Sequence, residues 1–240
     1  MLRQDGRQSF ELRPIEFTVG HNAYAEGSVL GKFGNTIVSV TASVEQEIPK
    51  WMSKNQGGWI TAEYSMLPRA THTRNKREAS NGKQSGRTLE IQRLIGRALR
   101  QSIDLNALPG ISIIIDCDVL QADGGTRTAS ITTGWIALHQ AITFLKNQNL
   151  IEQTVELSPI AALSVGSINE KLVLDLNYAE DSTADSDVNI VFNQSLEIIE
   201  IQGTSEKKPL KISDLQRLLE ESSKAIKTIF ELQKSAITIK

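Results

Sequence analysis

The sequence has little of what disulfide-stabilised and membrane-spanning proteins depend on. It contains one cysteine and three histidines in 240 residues, and aromatic residues make up 5%. A single cysteine cannot form an internal disulfide, which excludes a disulfide-stabilised miniprotein. Purely apolar runs are short, such as residues 113–115, and no apolar stretch follows the charges near the amino terminus. We therefore expect no membrane span and no signal peptide, and a cytoplasmic protein.

The overall composition is that of a globular protein. Hydrophobic residues make up 40% and charged residues 22%, which argues against disorder. The length allows one large domain or two small ones. Cys117 lies in the apolar run 111–120, so we interpret it as a small buried side chain and not as a nucleophile.

Charge is distributed unevenly although the net charge is only −2. Residues 69–100 contain nine Lys or Arg against two Glu, a local balance of +7, whereas residues 170–187 have a balance of −5. A basic block and an acidic block in a nearly neutral chain indicate a path for a polyanion that leads to a cation site.

Hydrophobic periodicity predicts strands in the first third of the chain and an exposed loop after them. Residues 15–19, 23–30 and 36–44 are typical of an antiparallel meander, and residues 68–86 are polar without an apolar period. Residues 87–103 then have helical spacing, with Arg93, Arg97 and Arg100 along one edge.

The second half predicts a strand, a glycine turn and a helix, followed by more strands and a last helix. The ranges are strand 111–120, turn 121–127, helix 128–146, and strands 159–168, 171–177, 187–192 and 196–202. The last helix begins with a capping-box pattern at Ser213. We predict an α+β fold in one compact domain, residues 1–240, with mixed and antiparallel sheets packed against three helices.

Two segments are candidates for chemistry. The turn from Asp123 to Arg127 has glycines that let backbone amides approach a phosphate, with a threonine and an arginine beside them, although a plain strand-to-helix turn also needs glycine. In the acidic segment, Asp181 and Asp187 can converge to bind Mg²⁺, or Mn²⁺, which takes one or two carboxylates together with a substrate phosphate. The alternative there is a solvated acidic loop.

The polar loop offers a third candidate. Arg69, Arg74 and Arg77 are suited to follow a row of backbone phosphates, and a merely solvated loop would more often carry lysine and glutamate. His72 lies among them, and we interpret it as a contact or a bystander and not as a catalytic base. Arg93 and Arg97 on the following helix extend the predicted RNA path.

Three long segments resemble the ribonuclease PH family. They are residues 59–74, from Trp59-Ile60-Thr61-Ala62-Glu63-Tyr64; residues 82–97, with Gly86-Arg87-Thr88-Leu89-Glu90; and residues 116–128, with Gln121-Ala122-Asp123-Gly124-Gly125-Thr126-Arg127. Residues 5–7, 177–189 and 202–204 match as well. The resemblance therefore covers nearly the whole chain, which makes it far more specific than a lone glycine motif.

The resemblance implies a fold like that of ribosomal protein S5 domain 2 and a phosphate-dependent 3′-to-5′ exoribonuclease. Such an enzyme trims tRNA precursors with inorganic phosphate as co-substrate, releases nucleoside diphosphates and assembles as a homohexameric ring, a trimer of dimers. Its phosphate site maps to Arg87, Gly125, Thr126 and Arg127, and its metal-binding and catalytic carboxylates map to Asp181 and Asp187. Arg87 and Arg127 count among its catalytic residues, and its tRNA-binding loop maps to Arg69, Arg74 and Arg77.

Two other functions stay open at this point. A hydrolytic, metal-dependent exonuclease would use the same carboxylates but release monophosphates. A non-catalytic ring subunit of an exosome-like assembly would bind RNA without chemistry, and such subunits tend to lose the arginines or the acidic pair that this sequence retains.

Overall fold

The computed structural model describes residues 3–53 and 57–238 and contains two sheets with helices packed between and around them. The first sheet has the strand order β1-β2-β3-β5-β4. Its strands are β1 Ile15–Val19, β2 Gly27–Phe33, β3 Thr36–Glu45, β4 Trp59–Met66 and β5 Ser112–Gln121. The first three form the predicted antiparallel meander, and β3 pairs antiparallel with β5.

The second sheet is antiparallel, with the strand order β7-β6-β8-β9. Its strands are β6 Ile160–Ile168, β7 Lys171–Leu174, β8 Ser186–Asn193 and β9 Ile198–Ser205. The α-helices are α1 Gly86–Arg100, α2 Thr126–Asn147, α3 Tyr178–Asp181 and α4 Ile212–Thr238.

Helix α2 lies between the two sheets. It packs against β2, β3 and β5 on one side and against β6 on the other, and most of its residues are buried. Because sheets cover two sides of α2, the helix lacks the continuous polar face of a surface helix. Trp135 at its centre is 2% exposed. The larger apolar core accordingly contains residues of both sheets.

The outer helices cover the remaining apolar faces. Helix α1 packs on β4, and α4 packs on β6, β7 and β1. The side-chain amide of Gln233 on α4 donates to the backbone oxygens of Thr132 on α2 (2.9 Å) and Ile160 on β6 (3.0 Å). This buried amide ties the last helix to the central helix and the second sheet.

The structure corrects several predicted elements. Strand β4 lies at the edge of the first sheet and pairs in parallel with β5, so the first sheet is mixed. Strand β2 begins four residues later than predicted, and the predicted loop contains a short 3₁₀ helix at Glu78–Asn81. Helix α4 begins at Ile212, so Ser213 lies in its first turn and is not the cap. The acidic segment forms the short helix α3, a fourth helix.

Candidate active site

The glycine turn lies at the amino-terminal end of α2, as predicted. Gly124 and Gly125 have φ angles of +77° and +64°, in the left-handed region that favours glycine. A Cβ on Gly124 would lie 2.5 Å from the backbone oxygen of Leu176, because the turn packs directly against the segment that leads into α3. The turn therefore presents the free amides at the start of a 22-residue helix, a site suited to an anion.

Thr126 begins α2 and is nearly buried. Its hydroxyl lies 2.8 Å from the hydroxyl of Tyr64 on β4. Burial raises the pKa of Tyr64, which keeps the phenol neutral and able to donate a hydrogen bond. The nearby positive charges of Arg87 and Arg127 oppose that rise. Tyr64 therefore orients the threonine hydroxyl beside the turn, a contact that joins the first sheet to the site.

Arg87 and Arg127 come from the first turns of two different helices. Arg127 donates from Nη1 to Glu90 Oε1 and to Gln202 Oε1, each at 3.3 Å, which connects α2 to α1 and β9. Arg87 is exposed and has no ion-pair partner within the described ranges. Both guanidinium groups lower the pKa of Asp181, so both lie close to that carboxylate. The structure thus brings the predicted phosphate-binding residues together.

Asp181 and Asp187 also converge, from α3 and β8. Burial raises the pKa of each carboxyl, and the negative charge of Asp181 raises the pKa of Asp187 further. The positive charge of Arg127 lowers both pKa values in part. Asp181 keeps an open side to solvent although protein surrounds much of its carboxyl. Two carboxylates that repel each other therefore lie beside two arginines, so negative and positive charges adjoin at this end of α2.

The carboxylates of Asp181 and Asp187 are suited to a metal ion that takes only two ligands from the protein. In the described part of the chain, no three or more His, Cys, Asp or Glu side chains are arranged to hold a metal ion. A protein-only cage is therefore absent from these residues. Two carboxylates suit Mg²⁺, which retains waters and takes its other ligands from a substrate phosphate. Asp181 and Asp187 would hold that ion.

A buried cluster of arginines holds α3 in place, and the sequence did not predict it. Arg13 pairs with Asp175 at 2.7 Å, and its Nη1 also donates to the backbone oxygen of Asp123 (2.5 Å), beside the glycine turn. Asp175 itself has a φ of +55°. A non-glycine residue rarely adopts this conformation, so the ion pair at Asp175 holds a locally strained backbone.

The same cluster continues to the residue before Asp181. Arg3 donates from Nε to Glu180 Oε1 (2.6 Å) and from Nη2 to Glu180 Oε2. Glu180 and Asn177 form a capping box at the start of α3. Arg7 lies within ion-pair distance of both Asp175 and Glu180. The only sequence signal was the match of residues 5–7 to the family, which did not indicate what Arg7 contacts.

The arginine loop, residues 68–77 of the predicted polar loop, lies beside the glycine turn. The backbone amide of Ala122, just before the turn, donates to the backbone oxygen of Ala70 (2.8 Å). Arg69 donates to the backbone oxygen of His72 (3.4 Å), and Arg74 is exposed. These two predicted RNA contacts are therefore placed near the site with their charges largely free.

The other predicted RNA contacts are placed differently. Arg77 lines a cavity of about 750 Å³ whose walls include Glu63, Asp116 and Asp118, and its charge lowers the pKa of Asp118. Burial raises the pKa of Asp116 and Asp118. Arg77 therefore faces carboxylates, unlike Arg69 and Arg74.

Arg93 and Arg97 lie on α1 beside a groove of about 310 Å³ that Trp59 and Arg100 also line. Arg97 donates from Nε to Glu200 Oε2 on β9 (2.6 Å), so its charge is already paired. Arg100 lies 4.3 Å from the centre of the Trp59 ring. Of the two predicted contacts, Arg93 is the one available to a ligand.

Cys117 is buried, which confirms that it is a core residue. Burial and the charge of Asp116 raise the pKa of its thiol far above the ordinary range, so it is not a thiolate nucleophile at neutral pH. None of the described helices has the length and apolarity that crossing a membrane requires.

The fold and the site define a class: an α+β protein with a glycine turn, two arginines and an acidic pair at one helix end. Family models identify this class. Domain 1 of the 3′ exoribonuclease family, the ribonuclease PH type, matches residues 11–142, and domain 2 matches residues 158–225. The chain belongs to this family of phosphorolytic exoribonucleases. The family models place the two sheets in different domains, and the prediction of a single domain stays a prediction.

Solved structures confirm the fold over nearly the full length. A rice (Oryza sativa) Rrp46 has a TM-score of 0.81 and 20% identity and covers 99% of this chain and 100% of its own. A chain of an Archaeoglobus fulgidus exosome with RNA bound to the active site has a TM-score of 0.78 and 22% identity, covering 95% and 91%. An archaeal exosome core chain has a TM-score of 0.75 and 21% identity, covering 97% and 91%. At these identities the similarity shows the fold.

Proposed function

We propose that this protein is a phosphorolytic 3′-to-5′ exoribonuclease that trims the 3′ end of tRNA precursors, with ribosomal RNA precursors as further substrates. One observation carries the proposal: Arg87, Arg127, the Gly124-Gly125 turn and the carboxylates of Asp181 and Asp187 meet at the amino-terminal end of α2. Family membership makes phosphorolysis the reaction to test first.

The phosphate co-substrate would bind at the turn. Arg87 and Arg127 supply planar groups that pair with phosphate oxygens, and the amide of Gly125 and the hydroxyl of Thr126 supply further donors. A phosphate oxygen then attacks the terminal phosphodiester in line, and the bond to the 3′ oxygen of the preceding nucleotide breaks. The products are a nucleoside diphosphate and an RNA shortened by one nucleotide.

The acidic pair would serve the other side of the reaction. One carboxyl of the pair would deliver a proton to the departing 3′ oxygen. Asp181 and Asp187 would hold a Mg²⁺ ion, which would supply charge neutralisation at the reacting phosphate. Because a phosphodiester is exchanged for a phosphoanhydride, the step is readily reversible, and excess nucleoside diphosphate would extend a 3′ end.

The proposal includes a homohexameric ring, a trimer of dimers, and a cytoplasmic location. Two of the similar structures are chains of exosome assemblies, and one of these has RNA bound to its active site, which supports an assembly that binds RNA. Light scattering on the purified protein tests the ring, because a hexamer has six times the mass of the 26.4 kDa chain.

The decisive experiment uses a tRNA with a short 3′ extension and Mg²⁺, with and without inorganic phosphate, and separates the released nucleotides by chromatography. We expect nucleoside diphosphates only when phosphate is present. Monophosphates in both reactions would establish the hydrolytic alternative. Absence of product from folded protein that binds RNA would establish the non-catalytic subunit.

A further inference from the structure

Two aromatic side chains at the edge of the site have no part in the proposed reaction. Tyr178 begins α3 and is half-exposed, and His72 is an exposed residue of the arginine loop. Their ring centres lie 5.7 Å apart with the planes inclined at 53°. Because the rings are inclined and do not stack in parallel, each keeps much of its face free. An exposed pair of rings at this place calls for a ligand with a flat face.

The contacts of Tyr178 place it beside the reacting groups. Its backbone amide donates to Oδ1 of Asp123 (3.2 Å), the residue before the glycine turn. Asp181 follows Tyr178 by three residues on the same short helix, so the two side chains lie on neighbouring positions of one helix face. A nucleotide whose phosphate lies between the turn and Asp181 therefore has its base or its neighbour's base within reach of the tyrosine ring.

The contacts of His72 place it on the side from which RNA would enter. Arg69 donates to its backbone oxygen, and the loop is tied to the turn through the hydrogen bond between Ala122 and Ala70. The arginines of this loop are suited to the phosphates of the RNA. The two rings add a stacking surface for its bases, since unstacked bases at RNA ends stack on aromatic side chains.

We propose that Tyr178 and His72 form a base-stacking subsite for the 3′-terminal bases of the RNA substrate. The subsite rests on the proposed function and names how the substrate end is held. Stacking accepts every base, because each has a π-face, so the subsite would favour unpaired 3′ ends over paired ones without reading sequence. Such a preference is what a trimming enzyme needs to stop at the paired acceptor stem.

The test pairs variants of the protein with RNAs that lack a base. Short RNAs carry an abasic nucleotide at the first, second or third position from the 3′ end and are compared with the intact RNA. Tyr178→Ala should raise the KM for intact RNA roughly tenfold and leave the KM for inorganic phosphate unchanged. Tyr178→Phe, which retains the ring, should restore the KM, and His72→Ala should have a smaller effect in the same direction.

The abasic substrates then show whether the ring meets a base. For one of the three abasic positions, the KM of the wild-type protein should rise about as much as Tyr178→Ala raises it for intact RNA. The same abasic RNA should not raise the KM of Tyr178→Ala any further. If the abasic RNA raised the KM of the wild type and of Tyr178→Ala by the same factor, the proposal would be overturned. A changed KM for phosphate in Tyr178→Ala would also overturn it, because it would show a structural role for Tyr178.

Tyr24 provides a matched control. It is 96% exposed and lies in the connection between β1 and β2. That connection leads directly into β2, where the backbone amide of Ser28 donates to Oε1 of Gln140 (2.7 Å), and Gln140 is about 20 Å along α2 from the glycine turn. Tyr24→Ala should therefore leave every KM unchanged.

A binding measurement separates this proposal from the proposed function. An RNA with 2-aminopurine at its 3′ end loses fluorescence when the base stacks. Fluorescence should fall on binding to the wild type and to Tyr178→Phe, and remain high with Tyr178→Ala. If the wild type binds with this quenching but releases no diphosphates, the proposed function fails and the subsite stands. If the wild type releases diphosphates but the quenching is the same with Tyr178→Ala as with the wild type, the proposed function stands and the subsite is overturned.

Discussion

Two groups of arginines meet near α3 and have opposite surroundings. The first group is buried and bonded to carboxylates and backbone oxygens: Arg3, Arg7 and Arg13. The second group is exposed and has no carboxylate within ion-pair distance among residues 3–53 and 57–238: Arg69, Arg74 and Arg87. The residue type is the same in both groups, and the difference lies in their partners.

This difference separates support from binding. A buried charge is costly unless it is paired, so the buried arginines are committed to Asp175 and Glu180 and hold the segment that presents Asp181. An exposed guanidinium without a partner remains hydrated and is available for a phosphate. Partnering therefore separates the arginines that are committed to support from those whose charge is available to a ligand, which a count of positive charges cannot do. Arg127 is intermediate, since it lies 3.3 Å from Glu90 at the edge of the site.

The largest expected effect concerns the acidic pair that the buried arginines support. Asp187→Asn should reduce diphosphate release by roughly 10³-fold or more at every Mg²⁺ concentration, because it removes charge where the cation and the leaving group are held. Asp214→Asn, in the first turn of α4, is the control and should retain activity. A fully active Asp187→Asn would contradict the assignment of the metal and the acid.

Next in size is the loss of a phosphate-binding arginine. Arg87→Ala or Arg127→Ala should lower kcat/KM for phosphorolysis about 10²–10³-fold, since each removes a charged donor from the reacting phosphate. Binding of tRNA, measured by filter retention, should be nearly unchanged. Unfolding of either variant, detected by circular dichroism, would show instead that the arginine supports the structure.

Removing a buried arginine should affect stability first. Arg13→Ala removes the nearer of the two arginines that pair with the buried Asp175 and leaves only Arg7, at 3.4 Å, so it should lower the free energy of unfolding by about 3 kcal/mol. Arg74→Ala should change it by less than about 0.5 kcal/mol, since that side chain is exposed. Urea unfolding of the two variants in parallel measures both, and equal destabilisation would remove the distinction between the two groups.

A smaller effect, on tRNA binding, is expected when an arginine of the exposed loop is removed. Arg74→Ala should weaken tRNA binding and make the slope of log affinity against log salt shallower by about one, because one phosphate contact is lost. A short single-stranded oligonucleotide should be affected less than tRNA. The control is Lys227→Ala, which removes an exposed positive charge on α4. Similar losses for both RNAs would argue against contact with the acceptor stem.

The smallest effect is in the pH dependence of stability. The pKa of Asp187 is raised in the folded protein, so ionisation costs the folded state free energy. Stability from this group is fully present below the unfolded pKa of about 4 and is lost as pH rises through the folded pKa. Asp187→Asn should thus raise Tm at pH 7 by at most about 2–4 °C and give no gain near pH 4. Thermal scans at both pH values measure this difference.

The sequence predicted those helices, strands and turns whose residues show a clear pattern within a short window. Strand β1, helix α1, strand β5 and the turn before α2 follow from period, glycine and polarity within short windows. The α+β fold with mixed and antiparallel sheets is confirmed. The predicted site residues also come together. The convergence of Asp181 and Asp187 was expected from the acidic segment itself, and the family resemblance added their assignment as catalytic carboxylates. The roles given to these residues remain predictions.

Pairings between distant residues were not predictable from those windows. The parallel pairing of β4 with β5, the ion pair of Arg97 with Glu200 and the carboxylates that face Arg77 each join residues far apart in sequence. One chain pattern is compatible with many such pairings, and only packing of the whole chain selects among them.

The sequence by itself determined which residues are candidates for chemistry: the glycine turn, the arginines around it and the acidic pair, because residue type and local period can be read directly from the chain. The tertiary structure decided which arginines remain free. Arg13 and Arg87 look alike in sequence, but one is buried against Asp175 and the other is open to solvent. Burial and pairing depend on contacts between distant segments, and these contacts exist only once the two sheets have closed around α2.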